Sequence, residues 1–215
     1  AVELRWPLAR HSGGVTHIIE PVAQLIWSPE RDYDDEVPNE DSYLLEFDEG
    51  NLFSLNRFSG WDARESGLRA NLGLGWTRID PAGWSIGLTA GRVLRSHRDK
   101  AFADNGPIGG KSSDWLLAAH YSGSNGLAIA NRALFDDSFS LSRNEFRLGW
   151  YQPWLQVSAG YLWLDSDLRE DRLEDVSELT TLAGWQITDG WWASAETRYD
   201  FAENRAQKAE LGLQY

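Results

Sequence analysis

Apolar residues take every second position along almost the whole chain. Between Leu72 and Leu88 the pattern is clear: Leu72, Leu74 and Trp76 alternate with Gly73 and Gly75, and after a polar turn Trp84, Ile86 and Leu88 alternate with Ser85 and Gly87. A period of two sends successive side chains to opposite faces of a strand, so one face of this hairpin is large and apolar and the other small. The alternation recurs over residues 2–8, 16–27, 67–77, 84–93, 114–123, 127–135, 145–151, 154–163, 178–187, 191–201 and 206–215. These segments predict about eleven strands and no sustained helix. Pro21 stands inside the second and costs it one ladder bond.

The connections add direction. Short turns alternate with longer polar stretches, residues 28–61, 95–113, 136–143 and 165–175, so all the long connections leave one end of the sheet. Outer-membrane barrels have that asymmetry, whereas both ends of a soluble sandwich meet the same water. Trp76, Trp84, Trp150, Trp154, Trp185, Trp191 and Trp192 all fall near the short-turn end, where an aromatic girdle would sit at headgroup level. The opposite face carries Gly73, Gly87, Ser158, Glu196 and Arg198, which suits a wet or filled lumen. The fold expected is therefore all-β: an antiparallel transmembrane outer-membrane β-barrel, with a long extracellular or lumenal loop at residues 28–61. The alternative is a soluble β-sandwich that binds carbohydrate through exposed Trp.

Composition narrows the classes. The 215 residues include 12 Trp, no Cys and no Met, with a formal net charge of −13. That charge leaves no basic stripe to neutralise phosphates, so nucleic acid is excluded as a partner. Absence of Cys removes disulfides and thiolate metal sites. No apolar run reaches the ~18 residues of a membrane-spanning helix, a test to which membrane strands are blind. A start inside a strand pattern without Met suggests a fragment or a processed chain.

Candidate chemistry is thin. "GPIGGKSSD" (Gly106 to Asp114) has the wrong glycine spacing for a phosphate loop and leads into a strand, so it reads as a surface loop. His11 and His17 lack a third metal ligand, and His120 on the small face has no partnered nucleophile, so no metal, cofactor or catalytic residue is assigned. The connection at residues 28–61 is different. Its first half is dense in acid, yet its second half carries Leu52, Phe53, Leu55, Phe58 and Trp61. A loop meant only for water does not need those side chains, so this segment is expected to pack against something. Arg57 and Asp62, five apart, are expected to pin its return to the wall.

The same residues carry a resemblance. His17, Glu20 and Pro21 in "HIIEPVAQL", the run Asn39 to Ser42, "NLFSLNRFSG" (Asn51 to Gly60) and Arg69-Ala70-Asn71 together resemble the barrel domain of the LptD (OstA, Imp) family of LPS-assembly outer-membrane proteins, in its alphaproteobacterial form. The closing "ETRYDFAENRAQKAELGLQY" looks like that family's late strands, and the resemblance implies that these about eleven strands are a segment, in the C-terminal part, of a larger barrel. Where the family pattern has Asp-Arg, an aliphatic residue and Glu, this chain has Asp62, Ala63, Arg64 and Glu65. The resemblance implies a non-enzymatic role in lipopolysaccharide transport and insertion into the outer leaflet of the Gram-negative outer membrane. It further implies an LptE-like plug lipoprotein in the lumen, periplasmic bridge proteins reached through an N-terminal domain outside this segment, and surrounding membrane lipid. It places Asn39, Asp41, Asn51, Leu52, Phe53, Arg57, Phe58, Trp61 and Asp62 in a plug-facing lid loop. A general porin would share the girdle and the loop alternation but not "NLFSLNRFSG".

Overall fold

The structure, a computed structural model, describes residues 1–29, 46–58, 64–98, 102, 106–166 and 172–215. Among these residues every regular element is a β-strand. In chain order they are β1 (Val2–Arg5), β2 (Leu8–Ser12), β3 (Val15–Ser28), β4 (Gly67–Ile79), β5 (Ser85–Arg95), β6 (Trp115–Ser122), β7 (Leu127–Phe135), β8 (Leu141–Gln152), β9 (Leu155–Leu164), β10 (Val176–Thr188), β11 (Trp191–Asp200) and β12 (Arg205–Gln214). They form one antiparallel sheet in which, from β3 onward, each strand pairs with its neighbours in sequence. No pairing joins β12 to β1 or β2 among the described residues, so the sheet has two open edges.

The first expected strand, residues 2–8, is observed as β1, which ends at Arg5, and a further strand that was not expected, β2, follows it. β1 pairs with Val22–Leu25 and β2 with Val15–Ile19, both on the same edge of β3. The break at Trp6-Pro7 lies opposite Glu20 and Pro21, where neither proline has an N–H to give the ladder. A single bond from the Trp6 amide to the Pro21 carbonyl, 3.1 Å, bridges the gap. The β2–β3 turn is two glycines, Gly13 and Gly14, at φ 62° and 82°. A two-residue hairpin that follows the strand twist needs positive φ at both positions, which glycine takes without strain.

The turns at residues 13–14, 80–84, 123–126, 153–154 and 189–190 share one end of the sheet, and the connections 29–66, 96–114, 136–140, 165–175 and 201–204 share the other. The expected length asymmetry is pronounced from β3 to β6 and fades at 136–140 and 201–204.

Register assigns the faces. Leu68, Leu72, Leu74, Ile86, Leu88, Val157, Ala159 and Tyr161 share one face, and Gly73, Gly87, Ser158, Glu196 and Arg198 the other. On the apolar face two pairs of polar side chains bond to each other, while Arg78 and Arg92 reach out to Asp80 and Asp137 in the connections. Asn131 donates to Asn144 at 3.2 Å, and the Thr181 and Thr197 hydroxyls lie 2.7 Å apart. Such pairing lowers the cost of placing amides and hydroxyls among apolar neighbours.

The polar face is covered in part. One core cluster lies there, and five of its eight side chains come from connections rather than strands: Phe47, Leu52, Phe58, Phe102 and Ile108, packed on Val93, Leu116 and Leu134. The stretch around Ile108, expected as a surface loop, is therefore part of the core. Ile108 is 2% exposed, and its carbonyl accepts a 2.8 Å bond from Arg95.

Candidate functional site

The site is the segment 46–58, which leaves β3 at the long-connection end and lies on the polar face of the sheet. Its tip is shaped by Asn51. The Asn51 amide donates to the Asp48 carboxylate at 2.8 Å, the Asp48 amide donates to Asn51 Oδ1 at 3.1 Å, and Asn51 Nδ2 reaches the Glu46 carbonyl at 2.7 Å. These side-chain-to-backbone bonds close a tight turn. The turn directs Leu52 and Phe53 onto the sheet.

They land on glycine. A Cβ on Gly73 would stand 2.6 Å from Phe53 Cζ, and one on Gly91 would run into the Leu52 side chain. Leu52 is consequently fully buried. Gly73 and Gly91 are the floor on which Leu52 and Phe53 rest, whereas Gly87 leaves room for the His120 ring. Phe58 stacks on Phe102 with ring centroids 4.7 Å apart, joining this loop to the next.

The root of the loop is a buried charge cluster. Arg57 Nη1 lies 2.8 Å from both Glu65 oxygens, and its Nη2 donates to the Leu52 carbonyl at 2.6 Å. Arg69 Nε (3.4 Å) and Arg95 Nη2 (3.3 Å) also face Glu65 Oε2. The Leu55 and Ile108 carbonyls take further guanidinium donors. Burial pulls the Arg57 guanidinium below its ordinary pKa, opposed by its attraction to Glu65. In such a cluster, loss of the carboxylate leaves buried cations without their counter-charge. The described partner of Arg57 is thus Glu65, whereas Asp62 had been expected; Asp62 lies outside the described residues, as do Asn39, Asp41 and Trp61.

The tip is held by a second, more open charge cluster on β7 and β8. Arg132 grips Glu49 through two bonds of 2.8 and 3.0 Å and reaches Glu145 at 3.2 Å and Asp48 at 3.8 Å. Arg143 contacts Glu145 and lies 3.7 Å from Glu46. Arg147 reaches Glu145 at 3.3 Å. Partial burial works against the Glu49 carboxylate, but the bonds and charge of Arg132, a backbone hydrogen bond and His120 together outweigh it and hold the pKa below the ordinary value.

The indoles lie at the short-turn end. Trp76 stacks on His17 at 5.9 Å, Trp84 packs under Arg78 at 4.8 Å, Trp150 bonds the Asn125 carbonyl at 3.3 Å, and Trp191 packs on Tyr215 at 5.0 Å. Trp154 and Trp185 are exposed there too. A second aromatic set, not anticipated, occupies the apolar face at the other end. It comprises Trp27, Trp115, Phe135 and Trp163, each in register with that face. On the polar face, Glu196 and Arg198 stand far from the loop: Arg198 pairs with Glu178 at 2.8 Å and Glu196 with Lys208 at 2.8 Å.

Sequence reasoning missed Glu65, Arg69, Arg95, Arg132, Arg143 and Glu145. A signal existed for some of them. Arg69 and Asn71 sit in phase with Gly73, so a charged residue and an amide share the small face of β4 next to a glycine. That combination marks a covered polar face.

Residues 1–191 match the family described as LPS transport system D. The chain is 25% identical, over 94% of its length, to the protein named "LPS-assembly protein LptD" of Escherichia coli (strain K12). For the same-named proteins of Haemophilus influenzae (strain 86-028NP) and Mannheimia succiniciproducens the identities are 27% over 93% and 24% over 94%. The chain spans 28% of the length of each of these relatives.

Proposed function

This chain belongs to the LPS transport system D family, and from that premise we propose that it is a wall segment of an outer-membrane barrel that delivers lipopolysaccharide to the outer leaflet. The apolar face then meets lipid. Its two aromatic sets, at the short-turn and long-connection ends, are placed as two interface girdles on either side of an apolar band would be. The polar face lines the lumen, and the open edges at β1/β2 and β12 pair with the other strands of the barrel, since unpaired backbone groups in hydrocarbon cost several kcal/mol each.

In this reading the segment 46–58 is a lid over the lumen. The observation that carries it is the seating of Leu52 and Phe53 on Gly73 and Gly91, which a solvated connection has no reason to make. Asn51, Leu52, Phe53, Arg57 and Phe58 hold the lid, with Asn39, Asp41, Trp61 and Asp62 on its continuation. Glu196 and Arg198 line the lumen beside an LptE-like plug lipoprotein, and periplasmic bridge proteins supply the lipid through a domain outside this segment. Trp76, Trp84, Trp150, Trp154, Trp185 and Trp191 anchor the short-turn rim. The chemistry is transport, with no bond made or broken.

Deletion of residues 51–58 in the full-length protein tests this. The barrel is expected to insert, while plug association falls and cells become sensitive to large hydrophobic antibiotics. Normal permeability with the plug still co-purifying would reduce the loop to a passive connection.

A further inference from the structure

We propose that Arg132, Arg143 and Arg147 form a docking site for the phosphate groups of a phosphorylated glycolipid, which the loop carboxylates Glu46, Asp48 and Glu49 occupy at rest. The proposal deepens the transport reading and rests on it, since it requires the loop-bearing face to lie on the route of such a lipid.

The charge arrangement points there. Arg132 and Glu145 are directly paired across β7 and β8, and Arg143 and Arg147 flank Glu145 at two residues on either side, so all four share one face. The strands thus gather three guanidiniums around one carboxylate, with Glu145 in contact with each. Like charges this close need further anions, and three loop carboxylates supply them. Glu49 meets Arg132 through two parallel bonds, the fork geometry in which a guanidinium also holds phosphate. The loop tip therefore stands where a doubly charged oxyanion would stand.

The arrangement also allows exchange. Side chains of Glu49 and Glu46 are 43% and 65% exposed, whereas the root pair Arg57–Glu65 is fully buried. Exposed ion pairs are weak and water-accessible, so the Glu46 and Glu49 carboxylates swing away at small cost while Phe47, Leu52 and Arg57 stay seated in the core. Arg147, 70% exposed, is the point of entry. A phosphate that meets Arg147 and then displaces Glu49 from Arg132 replaces one anion by another of higher charge, leaving the cluster compensated throughout. On the same face, His120 of β6 acts electrostatically on Glu49, and Glu178 and Arg198 are already paired with each other.

The test uses the full-length protein with its plug in detergent. Lipopolysaccharide with its lipid phosphates intact, the same lipid dephosphorylated, and inorganic phosphate are titrated separately while hydrogen exchange is followed along the loop. The phosphorylated lipid is expected to raise exchange at residues 48–50 and leave Phe47 and residues 52–58 protected. The variant D48N/E49Q is expected to bind it about fivefold or more tightly, because the resident competitor is weakened. R132Q/R147Q is expected to bind it more weakly, and E203Q/E210Q, which removes two acids elsewhere, is expected to leave binding unchanged. Unchanged or weaker binding by D48N/E49Q overturns the proposal, as does equal opening by the dephosphorylated lipid or by inorganic phosphate. None of these results touches the transport reading, which stands or falls on the permeability of cells lacking residues 51–58.

Discussion

The two halves of the sheet obey one alternating pattern and end with different interiors. Over β3–β8 the polar face is roofed, and Arg69, Asn71, Val93, Leu116 and Leu134 are almost fully buried there. Over β9–β12 only Ala193 is buried, and β12 is exposed along nearly its whole length on both faces. Strand propensity does not separate them; the residues opposite the apolar ones do. β4 and β5 offer glycine at the two positions where Leu52 and Phe53 land, together with arginines that reach a buried carboxylate. β10–β12 offer Glu178, Arg198, Glu196 and Lys208, which pair among themselves along the strands and need no cover. An identical period of two can therefore line a packed chamber or an open polar wall.

The sharpest way to break the contrast is at the root of the roof. Glu65→Ala leaves Arg57, Arg69 and Arg95 facing one another, and should cost about 3–5 kcal/mol. The measurement is the denaturant midpoint of the full-length protein, with new protease cleavage in 46–58 as the local readout. Glu178→Ala, which removes a half-exposed pair from the open half, should move the midpoint by about 1 kcal/mol or less.

Next comes the apolar face, which under the proposed function meets lipid in both halves. Leu72→Arg is expected to reduce stability in a bilayer by about 2–4 kcal/mol if it lies near the midplane, and Ala183→Arg by a similar amount. Tolerance at one and not the other would show that the apolar face has a second boundary between the halves.

A finer test uses two glycines on the same face. Gly91→Val drives a side chain into Leu52 and should cost about 1–3 kcal/mol as an overpacked core, with Leu52→Ala restoring part of it. Gly160→Val meets nothing within 4 Å and should change stability by about 0.5 kcal/mol or less. Equal effects would mean that the glycines serve the strands rather than the roof.

The smallest expected effect concerns pH. The Glu49 pKa is lowered in the folded state, so its contribution is fully present above the ordinary carboxylate value of 4.5 and is lost as pH falls below it, through the depressed value. Half-exposed, it is discounted for solvent screening to about 1 kcal/mol or less. Protection of residues 48–50 from hydrogen exchange should stay level at weakly acidic pH, then fall as Glu49 takes up its proton, and Glu49→Gln should flatten that dependence.

Most of the architecture is legible in the sequence because a strand's facing depends on local order alone. Alternation located every strand but β2 to within a few residues, marked the two faces, and picked out the indoles of the short-turn end, though not Trp27, Trp115 and Trp163 at the other. The break between β1 and β2 was only half visible: Pro21 announced a lost ladder bond, but that Pro7 would stand across from it depended on register between segments. The apolar half of the 28–61 connection signalled packing without saying where. Its landing on Gly73 and Gly91, the choice of Glu65 as the partner of Arg57, the burial of Ile108 and the hold of Arg132 on Glu49 all join residues distant in sequence. Periodicity records which side of a strand a residue takes, since that follows from backbone geometry. It carries nothing about which distant side chain comes to rest there, because that is decided by volume and charge after the chain has closed on itself.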